Sequence, residues 1–124
     1  MNGENRLLVD TNLLIFLLDG NPLAIKMLQG KMLYYSFVTE IELLGLYGIT
    51  TTQKKFIEKF LTDLNKIGYS DKIEKTTIAL KQKKKIKVPD AIIAATALVH
   101  DIPLITADKG FKSINELECI LFEV

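Results

Sequence analysis

Short apolar runs alternate with longer amphipathic segments along this chain. Four short runs bounded by polar or turn-forming residues predict buried β-strands, because a strand covered on both faces needs apolar side chains throughout. The predicted strands are 7–9, 32–37, 103–105 and 118–122.

Apolar residues at spacings of three and four predict helices between these strands. The clearest pattern lies in 53–67, and the segment 39–47 has Gly48 as its expected stop. A helix at 89–100 begins with a proline and is apolar nearly all round, which predicts burial. The predicted helices are 11–19, 23–29, 39–47, 53–67, 71–85 and 89–100.

Alternating strands and helices predict an α/β fold with a parallel sheet covered by helices on both faces. The chain has 124 residues and is 48% hydrophobic, which suffices for a substantial core. No repeat or linker divides it, so we expect a single domain over residues 1–124. In such sheets, functional sites form at the carboxyl ends of the strands.

The composition narrows the possible chemistry. Cys119 and His100 are the only cysteine and histidine, which excludes an intramolecular disulfide and a Cys/His zinc site. Catalytic groups must therefore come mainly from Asp, Glu, Asn, Thr and Lys. No apolar run approaches the roughly 20 residues of a membrane span, and residues 1–6 lack a signal-peptide pattern. We expect a cytoplasmic protein with no membrane association.

Charge is distributed unevenly along the chain, although the formal net charge is only +1. Residues 54–87 hold eleven lysines and four acids, a net charge of +7, whereas the remainder carries −6. Patches of opposite sign suit a polyanion held over a cation-binding site. A solvated lysine-rich helical surface is the alternative explanation for this basic segment.

Four acidic residues are predicted to meet at one edge of the sheet. Asp10 ends the first strand, Asp108 follows the strand at 103–105, and Asp90 begins the buried helix. Glu42 lies in the first turn of the helix after the second strand. Taken singly, such acids are commonly helix caps or turn residues.

Four neighbouring carboxylates cannot all remain ionised without compensation. Two unit charges ~5 Å apart repel by roughly 3 kcal/mol at an effective dielectric constant of about 20. Either some of them are protonated or a cation neutralises them. With no His or Cys nearby in the sequence, the expected cation is Mg²⁺ or Mn²⁺, which prefer oxygen ligands. A lysine-rich surface beside such a site points to phosphodiester hydrolysis.

At these residues the sequence resembles the PIN-domain ribonuclease family, most closely the VapC-type toxins of toxin–antitoxin pairs. The resemblance covers essentially the whole chain, with four motifs in the right order. They are Val9-Asp10-Thr11-Asn12, Thr39-Glu40-Ile41-Glu42-Leu43 with Gly45, the stretch 89–97 (PDAIIAATA), and 103–108 (PLITAD) followed by Phe111.

The resemblance implies a three-layer α/β/α sandwich and an endoribonuclease dependent on Mg²⁺ or Mn²⁺. It assigns the catalytic and metal-binding roles to four acids and positioning roles to two polar residues behind them. The acids are Asp10, Glu42, Asp90 and Asp108, and the positioning residues are Asn12 and Thr106. The family pattern is Thr, then two residues, then Glu-Leu. It selects Glu42 for the fourth acid, with Glu40 as the fallback.

The same resemblance implies an RNA substrate, a cognate antitoxin protein and a homodimer. The apolar stripe at 13–18 or the face carrying Phe56 and Phe60 would serve dimerisation or antitoxin docking, although core packing explains such stripes equally well.

Three other functions are compatible with these residues. One is a housekeeping RNA-processing PIN nuclease without an antitoxin, and another is a non-catalytic RNA-binding PIN module. The third is a phosphate-transfer domain using Asp10, of the receiver or haloacid-dehalogenase type. The latter type needs a second acid two residues later, where this sequence has Asn12.

Overall fold

A five-stranded parallel sheet forms the centre of the computed structural model, which describes residues 5–123. The strand order is β3-β2-β1-β4-β5, so the first strand of the chain lies in the middle of the sheet. The strands are β1 (Arg6–Val9), β2 (Met32–Ser36), β3 (Asn65–Ile67), β4 (Leu104–Thr106) and β5 (Cys119–Leu121).

Six α-helices and one 3₁₀-helix connect the strands in the part of the chain that the structure describes. The 3₁₀-helix, Lys109–Ser113, lies between β4 and β5. The α-helices are α1 (Thr11–Leu18), α2 (Pro22–Leu28), α3 (Phe37–Leu44), α4 (Thr51–Thr62), α5 (Asp71–Lys83) and α6 (Val88–His100).

Both faces of the sheet are covered, because successive side chains of a strand point to opposite faces. Leu8 packs into one core cluster with residues of α5 and α6. Leu7 and Val9 pack into a second cluster with residues of α1, α2 and α4. The predicted three-layer α/β/α sandwich with a parallel sheet is therefore confirmed.

The prediction of one helix over 53–67 is wrong at its carboxyl end. Helix α4 ends at Thr62, and residues 65–67 form β3, which pairs in parallel with β2. Only Ile67 of this edge strand is buried, whereas Asn65 and Lys66 are exposed. A strand with one buried residue has no alternation of apolar and polar positions. Ile67 therefore fitted the apolar spacing of α4, and the predicted helix extended through β3.

Helix α3 also differs from its predicted limits. It begins at Phe37 because the Ser36 hydroxyl accepts a hydrogen bond from the Val38 backbone N–H, at 3.1 Å. It stops at Gly45 rather than Gly48. The Gly45 N–H bonds to the Ile41 carbonyl oxygen at 2.8 Å, and a Cβ at Gly45 would clash with that oxygen.

Residues 1–4 and 124 lie outside the described residues. The prediction that residues 1–6 lack a signal-peptide pattern therefore concerns a segment of which the structure describes only residues 5 and 6. Among residues 5–123, no helix is both long enough and apolar enough to span a membrane.

Candidate active site

Asp10 is fixed where the central strand passes into helix α1. It is 4% exposed, and its Oδ1 accepts a hydrogen bond from the Leu13 backbone N–H at 3.0 Å, which caps the helix. Its Oδ2 accepts a hydrogen bond from the Thr106 hydroxyl. Burial raises the pKa of Asp10 most, and the charges of Asp108 and Asp90 raise it further, against the lowering effect of these hydrogen bonds.

Thr106 links two of the predicted acids. It ends β4, which pairs with β1, and its hydroxyl donates to Asp10 while accepting from the Asp108 backbone N–H at 2.9 Å. Asp108 in turn caps the 3₁₀-helix by accepting from the Gly110 N–H at 2.8 Å. These two contacts of Thr106 connect the segment that carries Asp10 to the segment that carries Asp108.

Asp90 lies in the first turn of α6 and is half-buried. Burial raises its pKa, and the charges of Asp108 and Glu42 raise it further, whereas Lys87 lowers it. The nearby carboxylates thus act electrostatically on Asp90 from two other segments of the chain. This mutual influence is what the sequence predicted for an acidic cluster.

Glu42 is held by a threonine that the sequence did not single out. The Thr11 hydroxyl donates to Glu42 Oε1 at 2.5 Å and also lies 2.9 Å from the Thr39 hydroxyl. Thr11 and Thr39 both belong to the motifs quoted above, and this was the only signal that could have marked them. Their contacts join α1 to α3 beside Asp10.

Glu40, the fallback for the fourth acid, lies elsewhere. Its Oε2 is 3.4 Å from Lys66 Nζ. Its charge also acts on Tyr35, whose pKa is raised mainly by burial and further by Glu40. Glu40 is thus engaged with β2 and β3, and this geometry favours Glu42 as the residue at the site.

The four predicted acids line one cleft with a volume of 180 Å³. Thr11 and Asn12 line it as well, but the structure gives the exposed Asn12 no hydrogen bond to an acid. Four separate segments therefore bring their carboxylates to the carboxyl-end edge of the sheet.

The chemistry of this donor set fits Mg²⁺ or Mn²⁺, which prefer oxygen ligands. However, among residues 5–123 no three acidic, histidine or cysteine side chains are already placed to hold a metal ion. Asp10 and Glu42 instead accept hydrogen bonds from protein groups. Because a carboxylate oxygen has two lone pairs, these bonds leave acceptor capacity for a cation.

A family model described as the PIN domain matches residues 7–117, and so includes all of these acids. The chain belongs to the PIN-domain family. The resemblance to this family is thereby confirmed, and PIN domains are generally nucleases that depend on divalent metal ions. No curated protein matched this PIN-domain chain.

Solved structures extend the comparison over nearly the whole PIN domain. A chain of a toxin–antitoxin complex from Klebsiella pneumoniae is 34% identical, with a TM-score of 0.81 over 94% of this chain and 98% of that one. VapBC-1 from nontypeable Haemophilus influenzae is 28% identical, with a TM-score of 0.77 over 94% and 97%. VapBC2 from Rickettsia felis, bound to a promoter DNA fragment, is 20% identical with a TM-score of 0.83 over 95% and 99%, which shows the shared fold.

Proposed function

We propose that this PIN domain is a metal-dependent endoribonuclease that hydrolyses RNA phosphodiester bonds. The observation that carries the proposal is the shared cleft of Asp10, Glu42, Asp90 and Asp108. The raised pKa values of Asp10 and Asp90 support it, because burial chiefly, and the charges of neighbouring acids in addition, disfavour the ionised carboxylates that a bound cation would stabilise.

Each side chain has a role in this proposal that follows from its contacts. Asp10, Asp90 and Asp108 would hold one or two divalent ions, with Glu42 binding directly or through water. Thr106 orients Asp10, and Thr11 orients Glu42, through the hydrogen bonds described above. Asn12 lines the cleft at its exposed side, where it can position the substrate. When bound, the ion supplies a water of lowered pKa and charge compensation at the phosphoryl group.

Cleavage of RNA by the purified protein tests this proposal. We expect cleavage with Mg²⁺ or Mn²⁺ and none with a chelator. Asp10→Asn and Asp108→Asn should lower the rate by about 100-fold or more, because each removes a charged ligand. Asp63→Asn, an exposed acid at the end of α4, is the matched control. Full cleavage by both site variants in chelator would contradict the assignment.

A second pair of variants separates the two glutamates. Glu42→Gln should impair cleavage, whereas Glu40→Gln should retain it, because Glu40 is engaged with Lys66 and Tyr35. The reverse result would identify Glu40 as the fourth acid.

We further propose that the chain is the toxin of a toxin–antitoxin pair. The supporting observations are the family and the near-complete match to a chain of the Klebsiella complex. Expression alone should arrest growth, and co-expression of the protein encoded by the neighbouring gene should relieve the arrest. Harmless expression of an RNA-cleaving chain would instead favour a housekeeping nuclease.

The organisation of the protein is part of the same proposal. We propose a single cytoplasmic domain over residues 1–124 that assembles as a homodimer, as the resemblance to VapC-type toxins implies. Light scattering after size-exclusion chromatography will give the oligomeric state directly.

A further inference from the structure

Two lysines line a second cleft that opens beside the acids. This cleft has a volume of 260 Å³ and contains Lys85, Lys87 and Ser113 together with Asp90 and Asp108. Two of the four acids therefore form a wall common to both clefts. We call this second space the lysine cleft. A group bound there lies next to whatever occupies the acidic site.

Lys85 and Lys87 carry no compensating charge in a salt bridge. The ion pair between Lys66 and Glu40 is the only one among residues 5–123. Both lysines are exposed, so their ammonium groups can reach a ligand without breaking an ion pair. Within the lining, the two lysines balance the charges of Asp90 and Asp108, and their exposed ammonium groups can turn to contact an anion.

The backbone that carries these lysines is held in place. They flank Ile86, whose side chain packs against the core cluster beneath α6. The Ile86 carbonyl oxygen accepts a hydrogen bond from Lys81 Nζ at 2.7 Å. The connection between α5 and α6 is therefore anchored by its central residue, which keeps Lys85 and Lys87 beside the acids.

The amino-terminal end of α6 adds partial positive charge to the lysine cleft. The helix has 13 residues, and no side chain caps its first backbone N–H groups. The positive end of its dipole faces Asp90, which lies in the same first turn, and adds to the attraction for an anion held near Lys87.

We infer that Lys85 and Lys87 form a phosphate-binding subsite that holds the RNA backbone on one side of the bond to be cleaved. This inference rests on the proposed nuclease function and specifies which of the sixteen basic residues contact the substrate. Lysine ammonium groups bind phosphate as point charges. When one RNA phosphate occupies the lysine cleft, the adjacent phosphate of the RNA would lie beside Asp90 and Asp108.

The two clefts beside Asp108 differ in their charged residues, which explains why the RNA backbone is held on only one side of the bond to be cleaved. On another side of Asp108 lies a cleft of 540 Å³ lined by Asn12, Asp19 and Lys109. There one lysine faces two carboxylates, Asp19 and Asp108, whereas the lysine cleft has two lysines and two carboxylates, so phosphate is attracted less strongly on that side. Phosphates on that side of the scissile bond should contribute little to binding.

Equilibrium binding of RNA tests the subsite independently of catalysis. The probe is a fluorescein-labelled single-stranded RNA in EDTA, followed by fluorescence anisotropy over a range of salt concentrations. The double variant Lys85→Gln/Lys87→Gln is compared with Lys72→Gln/Lys75→Gln, which removes two exposed lysines of α5. Neither Lys72 nor Lys75 lines the acidic cleft, the lysine cleft or the 540 Å³ cleft.

We expect the cleft variant to bind about tenfold more weakly than the control variant at low salt, with an unchanged melting temperature. Its slope of log Kd against log salt should fall by about 0.7, the contribution of one phosphate contact on single-stranded nucleic acid. Equal weakening in both variants, or no RNA binding by the wild type, would overturn the inference. If the wild type binds RNA in this manner but never cleaves it with Mn²⁺, the nuclease proposal fails and the subsite stands.

A substrate series tests which side is held. Single uncharged methylphosphonate linkages are placed in turn on both sides of the cleavage position. Substitution on one side should slow wild-type cleavage and leave the cleft variant unaffected, because that variant has already lost the contact. A symmetrical effect on both sides would contradict a one-sided subsite.

Discussion

At the residue scale, the site consists of side chains that each serve an ordinary structural purpose. Asp10 caps α1, Asp108 caps the 3₁₀-helix and Asp90 lies in the first turn of α6. The sequence suggested both the capping roles and the acidic cluster as alternatives, and the structure shows that they coexist. Capping fixes where a carboxylate lies, and the sheet topology determines which other carboxylates surround it.

The hydroxyl contacts at the site had no comparable signal in the sequence. Thr11 reaches Glu42 and Thr39 across about thirty positions of the chain, and Thr106 reaches Asp10 across nearly a hundred. Helix and strand periodicity describe neighbours within one element, so they cannot specify a hydrogen bond between distant ones. Such contacts become visible only when the strand order is known.

Asp90 gives a prediction about pH. Because its folded-state pKa is raised above 3.8, its ionised form is penalised in the metal-free fold. Its contribution to stability is therefore complete below pH 3.8 and is lost as the pH rises through the raised value. Asp90→Asn should raise the melting temperature in EDTA at pH 7 by about 2 °C, and the gain should vanish near pH 3.

Thermal melts of both proteins from pH 3 to pH 8 measure this effect, with Asp63→Asn as the control. Saturating Mn²⁺ should reverse the order, because ligand binding stabilises the wild type more than a variant lacking one carboxylate. A variant less stable than the wild type in EDTA at pH 7 would contradict the electrostatic argument.

At the scale of elements, the sequence predicted the strands that are mainly apolar in sequence and missed β3, two of whose three residues are polar and exposed. Strands β1, β2, β4 and β5 lie within or close to the predicted apolar runs. Strand β3 has one buried residue and is held by backbone pairing to β2, which leaves no hydrophobic pattern. Helix ends depended on contacts such as the Ser36 cap and the close approach at Gly45, which fix a boundary to single residues.

The end of α6 gives a prediction about stability. Asp101 follows the helix with φ 54°, a left-handed conformation that glycine adopts without the steric cost of a Cβ and that aspartate adopts only occasionally. The structure gives its exposed side chain no hydrogen bond or ion pair. Asp101→Gly should therefore raise the free energy of unfolding by about 1 kcal/mol.

Urea denaturation at pH 7 measures this change. Asp101→Ala is the control, because alanine removes the same charge but retains a Cβ, and it should not stabilise the protein. Equal stabilisation by glycine and alanine would assign the gain to charge and not to backbone conformation.

At the scale of the whole molecule, spaces of different character surround the acids. The lysine cleft lies on one side, and an apolar cleft of 640 Å³ lies on another, sharing Ile15, Leu43 and Leu46 with the acidic cleft. A nucleic acid suits the first and an apolar protein segment suits the second. One small fold can therefore present separate surfaces to a substrate and to a protein partner.

Phe56 gives a prediction about the partner. It is 61% exposed and lines the apolar cleft, next to the site. We expect the antitoxin to cover this cleft, so Phe56→Ser should weaken the complex at least tenfold, as buried aromatic anchors commonly do. RNA cleavage by the free toxin should remain unchanged, because Phe56 does not line the acidic cleft.

Calorimetric titration with the protein encoded by the neighbouring gene measures the affinity. Tyr69→Ser is the matched control, because Tyr69 is 59% exposed and does not line the apolar cleft. Equal affinity for the wild type and Phe56→Ser would place the antitoxin on another surface.

The position of β1 between β2 and β4 has a consequence for the synthesis of this protein. Asp10 is made early, but the strand that leads to Asp108 pairs with β1 only after more than a hundred residues have been translated. A nascent chain therefore carries an incomplete set of carboxylates until β4 emerges from the ribosome. The cleavage activity proposed above therefore cannot arise on a nascent chain in which β4 has not yet paired with β1.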